Sequence, residues 1–170
     1  MSEMRSEDAW KALDQVNGWI RFADGKAVAL LAAAGAFGGL LVNTVPHRAD
    51  FRTHASSAVL QAAALACVGC AALIALRALW PVLRTADPRS LLYFDQIARR
   101  YGADRHAFVD QYVAVFADGR ALARQLANQV WANSMVARAK FRATSFAAAF
   151  LTGGMGLAGT AVIIRRLWNL

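Results

Sequence analysis

Three stretches of this chain, 27–47, 53–76 and 143–164, carry no Asp, Glu, Lys or Arg over about twenty residues each. Each is closed off by basic side chains. At about 1.5 Å rise per residue, each is long enough as a helix to cross the roughly 30 Å hydrocarbon layer of a bilayer. The pattern is that of a small integral membrane protein, in which little chain remains for an enzyme domain.

Hydrophobic residues make up 58% of the sequence and the mean hydropathy is positive, outside the usual soluble-domain composition. A net charge of +8 would suggest a polyanionic partner for a soluble chain. Here the bias of Lys and Arg toward the cytoplasmic side accounts for it. With the N-terminus inside, Arg5, Lys11, Arg21, Lys26, Arg77 and the ten basic residues of 84–142 are cytoplasmic, and only Arg48, Arg52, Arg165 and Arg166 lie outside. Inverting the chain reverses that ratio, so the sequence predicts N-in and C-out. Arg165 and Arg166 fit least well: they face the periplasm or snorkel at the outer interface, with Trp168 as an anchor. The opening Ser2, Glu3, Ser6, Glu7 and Asp8 are unlike the basic start of a secretory signal, so the first span is expected to be retained.

The layout that follows is a cytoplasmic N-terminal helix (1–26), spans at 27–47 and 53–76 joined by a periplasmic loop (48–52), a cytoplasmic helical segment (77–142), a span at 143–164 and a tail (165–170). Ser6 can cap the first helix, whose apolar residues recur at Trp10, Leu13, Val16 or Asn17, Ile20 and Ala23. Asp24-Gly25 is a place for it to bend. Asp87-Pro88 predicts a helix start, with the helix running to about Tyr101, Gly102 as its stop and Asp104 as the next cap. From Arg105 the apolar spacing predicts one long helix leading into the third span, interrupted if anywhere at Asp118-Gly119. No alternating strand pattern occurs and no fixed-period repeat, so the fold class is all-α.

Gly35 and Gly39 form a G-x-x-x-G in the first span, and Ala148, Thr152, Gly156 and Thr160 a small-residue row in the third. Such rows let membrane helices approach closely and self-associate, although Ala- and Gly-rich spans also give these spacings by chance. Asn17, Arg21 and Asp24 share a helical face. An ion pair from Asp24 to Lys140 or Arg138 would tie the first and third spans together; ordinary flanking charge is the alternative. Cys67 and Cys70 lie mid-span as small hydrophobic residues, and three scattered histidines give no metal site. Nucleophile settings and phosphate-cradling loops are absent, so neither an enzyme nor a cofactor is expected.

Three strings carry a resemblance: Val16-Asn17-Gly18-Trp19-Ile20-Arg21-Phe22-Ala23-Asp24-Gly25-Lys26-Ala27, then Tyr93-Phe94-Asp95-Gln96-Ile97-Ala98, then Asn133-Ser134-x-Val136-Ala137-x-x-Lys140-Phe141. In order and membrane layout the chain resembles the Pycsar effector transmembrane family of bacterial phage defence. The resemblance implies an inner-membrane effector with a partner cyclase whose product, cUMP or cCMP, triggers membrane impairment and abortive infection. It maps the family motif onto Asn17, Trp19, Asp24, Lys26, Asn133 and Lys140. No cyclic-nucleotide-binding β-barrel is present, so the messenger must bind the helical interior segment or act through a relay. A nucleotide phosphate and base need Arg or Lys beside an aromatic shelf. Arg99, Arg100, Arg105 and Lys140, with Tyr93, Tyr101 and Trp131, are the candidate set; solvated charges and core aromatics are the plainer reading. Homo-oligomerisation in the bilayer is expected, with no nucleic-acid partner. The rival functions are a constitutive channel subunit and a membrane scaffold.

Overall fold

The computed structural model describes residues 6–45, 55–80 and 90–168, and these form five helices and no strand. They are α1 (Ser6–Val42), α2 (Ala55–Leu79), α3 (Phe94–Tyr101), α4 (Arg105–Ala117) and α5 (Gly119–Trp168). Helices α1, α2 and α5 are each long and apolar enough to cross a membrane. The protein is therefore an all-α, multi-pass membrane protein. The chain divides into two units, one of residues 23–80 and 140–170, the other of residues 1–22 and 81–139, and α1 and α5 contribute residues to both.

In the first unit the buried positions follow a 3–4 spacing. On α2 from Ala64 onward they are Ala64, Val68, Ala71, Ala75 and Ala78, with Ser57 and Ala58 buried nearer its start; on α5 they are Lys140, Thr144, Ala147, Leu151, Gly154, Ala158 and Ala161. That is the heptad seam of left-handed helix packing, made here from small side chains. Large apolar residues point the other way: Leu40, Leu73 and Ile163 are each exposed by 60% or more. Small inside and large outside is the arrangement a lipid solvent favours, because packing rather than water exclusion holds membrane helices together.

The glycines that make this packing possible are not those of the G-x-x-x-G. Gly35, Gly39 and Gly156 have open space where a Cβ would stand. At Gly154 a Cβ would meet Val68 Cγ2 at 3.0 Å, the Ala64 carbonyl oxygen at 3.1 Å and Cys67 Cβ at 3.2 Å. Period alone does not choose the packing face of a helix that is small-sided all round. Cys67 and Cys70 are free thiols on α2.

In the second unit Ala9 and Leu13 of α1 pack against Leu122 and Leu126 of α5, with Leu92 and Val130 at the edge. The expected helix from Asp87-Pro88 to Tyr101 is shorter than its sequence signal. Asp87 and Pro88 lie outside the described residues, and α3 opens only at Phe94, after an extended Tyr93 (φ −115°, ψ 118°). Upstream, the Leu91 N–H donates to Gln125 Oε1 at 3.4 Å and Ser90 Oγ donates to Gln129 Oε1 at 3.1 Å. These bonds hold 90–93 in a non-helical path that buries Leu91. The later signals hold: Gly102 ends α3, the Asp104 carboxylate accepts from the Ala107 N–H at 2.9 Å, and an extended Asp118 separates α4 from α5. The expected outer loop 48–52 lies outside the described residues.

Candidate functional site

Lys140 sits on the buried seam of α5, where a charge is costly unless paired and hydrogen-bonded. Its side chain is 9% exposed, and its ammonium donates to Asp24 Oδ1 on α1 at 2.5 Å and to the Ala78 carbonyl on α2 at 2.8 Å. Ala78 lies in the last turn of α2, where carbonyls have no partner within the helix and the helix dipole favours a cation. One ammonium thus joins α1, α2 and α5. The sequence points to the Asp24 partner; the Ala78 carbonyl leaves no sequence signal beyond a helix end at the matching depth. Arg138, the alternative partner, is exposed. Lys26 places its ammonium 5.8 Å from the centre of the Phe141 ring.

The second unit carries a chain of amides. Asn133 Nδ2 donates to Asn17 Oδ1 at 2.7 Å and Gln129 Nε2 donates to Asn133 Oδ1 at 2.9 Å, with Ser90 beyond. Gln129 is only 5% exposed, so its amide depends on these bonds. Both inter-helix pairs, Asn17 with Asn133 and Asp24 with Lys140, join residues 116 apart in sequence. Two motif strings that look unrelated in sequence are therefore partners at two positions each. Trp19, between them, is half exposed.

The ligand-binding candidates do not form one cluster. Arg99, Arg100 and Tyr101 end α3, and Arg105 opens α4. Arg99 Nε lies 3.0 Å from Asp95 Oδ2, but that oxygen receives no hydrogen bond, so the contact is ionic only. The Arg100 guanidinium stands 5.1 Å over the Tyr101 ring. Tyr101 is buried and its hydroxyl donates to Gln111 Oε1 at 2.5 Å. Burial raises the pKa of the nearby Tyr93, and the Asp95 carboxylate adds to the shift. Trp131 projects from α5, 64% exposed. Lys140 belongs to the other unit and its ammonium is already committed. What sequence reasoning misses is the aromatic row that runs from the end of α3 along α4 beside the arginines: Tyr101, Phe108, Tyr112 and Phe116 follow one another at ring distances of 5.5, 5.4 and 4.3 Å.

No solved structure matches the chain. A Pycsar effector protein from Micromonospora echinofusca is 48% identical over 59 residues, an alignment covering all of that protein and 35% of this chain. The stretch from residue 8 to residue 165 matches the Pycsar effector protein domain. That span takes in α2 and all but the ends of α1 and α5, with the paired Asp24 and Lys140 and the amide chain, and by it the chain belongs to the Pycsar effector protein family.

Proposed function

We propose that this protein is the membrane-acting arm of its defence system, switched on when a cyclic pyrimidine nucleotide, cUMP or cCMP, is made by a partner cyclase. Family membership implies an effector of anti-phage defence; the messenger, its binding and the damage it triggers are our reading. The protein sits in the bacterial inner membrane with its N-terminus in the cytoplasm, as the fifteen-to-four distribution of basic residues favours. It has no catalytic role and needs no cofactor. Activation rearranges the spans, assembles copies of the chain and makes the bilayer leak.

The observation that carries this reading is the use of α1 and α5 in both units. Asn17 and Asp24 are two turns apart on one continuous helix, and Asn133 and Lys140 two turns apart on another. A ligand that favours one arrangement of the amide-linked helices acts on the same two rods that carry the ion pair. A differential affinity of a few kcal/mol suffices to shift such a population. The phosphate contact falls to Arg100 and Arg105, with the aromatic row of α3 and α4 as a shelf for the base.

Liposomes loaded with a self-quenching dye and carrying the purified protein test the proposal. Leakage with cUMP or cCMP and none without is the expected result. Leakage regardless of nucleotide describes a constitutive channel, and no leakage in either case a scaffold; both outcomes overturn gating.

A further inference from the structure

The far end of the spans from Lys140 holds a feature that the defence mechanism does not use. A cleft of about 540 Å³ opens between α1 and α5, lined by Phe37, Leu40 and Leu41 on one side and Met155, Ala158 and Val162 on the other. Thr44 and Gln61 lie at its edge and are shared with an adjoining cavity of about 300 Å³ whose wall includes Arg165 and Arg166. The volume is in the range of small-molecule sites. The composition is graded: the cleft is apolar apart from the Thr44 hydroxyl and the Gln61 amide, and the adjoining cavity that shares those two residues carries the two guanidinium groups.

We infer that this cleft and the Arg165-Arg166 pair form a site for one anionic phospholipid, with an acyl chain between α1 and α5 and the phosphate on the arginines.

Three observations select that occupant. From Met155 to Arg166 is eleven residues of α5, or about 16 Å, close to half of the roughly 30 Å hydrocarbon layer. The cleft therefore has the depth of one leaflet and its charges stand at headgroup level. Arginine matches a phosphate oxygen pair in geometry as well as charge, and basic pockets between spans are established lipid headgroup sites. Finally, Arg165 and Arg166, like Arg48 and Arg52, run against the charge asymmetry of the chain, and a bound lipid phosphate offsets one of their two charges where they stand. A free phosphate would explain the arginines and leave the apolar cleft unexplained. The inference is independent of the proposed messenger.

The test uses the full chain in nanodiscs of equal parts phosphatidylglycerol and phosphatidylcholine, released into detergent and examined by native mass spectrometry for retained lipid. The wild type is expected to keep phosphatidylglycerol over phosphatidylcholine on the order of tenfold. Arg165→Gln with Arg166→Gln removes that preference while some lipid of either kind remains. Gly159→Leu, at a cleft position with open space around it, lowers retention of both lipids and leaves the arginines untouched. An unchanged preference in the double arginine variant overturns the inference, as does unchanged retention in Gly159→Leu. Displacement of the wild-type lipid by excess inorganic phosphate alone also overturns it, by assigning the arginines to a soluble anion.

Discussion

The Lys140 ammonium lies 2.5 Å from the Asp24 carboxylate and also holds the Ala78 carbonyl, so its two partners are unequal. Asp24 is 38% exposed by side chain and can recover solvation, whereas Lys140 is 9% exposed and cannot. Asp24→Ala is therefore expected to cost more than Lys140→Met, about 3 kcal/mol for the former, and the double variant less than the two combined. Exchanging the two residues fails to rescue stability, because a carboxylate at position 140 meets a carbonyl oxygen. Unfolding in mixed detergent micelles, followed by helix content, gives all four values.

Asn133 is the middle member of its chain, donating to Asn17 and accepting from Gln129. Asn133→Ala breaks two hydrogen bonds and leaves the buried Gln129 amide short of a partner, with an expected loss of about 2 kcal/mol. Asn17→Ala breaks one and costs about 1 kcal/mol. The same unfolding measurement ranks them.

The fold was legible wherever one residue carries its own signal. Charge-free length marks α1, α2 and α5, Gly102 and Asp104 mark the corner between α3 and α4, and Asp118 marks the start of α5. The start of α3 was not, because Gln125 and Gln129 fix residues 90 and 91 from more than thirty positions away. Within the candidate site, Asp24 with Lys140 could be read from opposite charge at matching span ends. Asn17 with Asn133 could not, since two amides carry no opposite charges to betray them. The packing face of the spans was also hidden: a row of alanines at heptad spacing differs little from the alanines around it.

Gly154 is where that hidden face can be tested. Gly154→Leu drives a side chain into the Ala64 carbonyl and Val68, with an expected loss of about 1–3 kcal/mol from overpacking. Gly35→Leu and Gly39→Leu, in open positions, leave the stability of the single chain unchanged. Thermal unfolding in a mild detergent separates the two classes; equal losses at Gly35 and Gly154 would contradict the packing face described.

The arginines differ in how free they are to take a phosphate, and that ordering predicts their roles. Arg99 is already next to the Asp95 carboxylate, and moving it to a ligand leaves that partly buried carboxylate without its cation. Arg100 lies over the Tyr101 ring, a placement that keeps its planar edge open for hydrogen bonds. Arg105 is exposed in the first turn of α4. A charge-assisted hydrogen bond is worth about 1.5–3 kcal/mol, so Arg100→Ala or Arg105→Ala should raise the concentration of cUMP or cCMP needed for leakage by about 10- to 100-fold. Arg99→Ala should move it by less than Arg100→Ala does. Titrating the messenger in the dye-release assay reads the three midpoints on one scale; a shift largest at Arg99 would move the phosphate contact off the α3–α4 corner proposed for it.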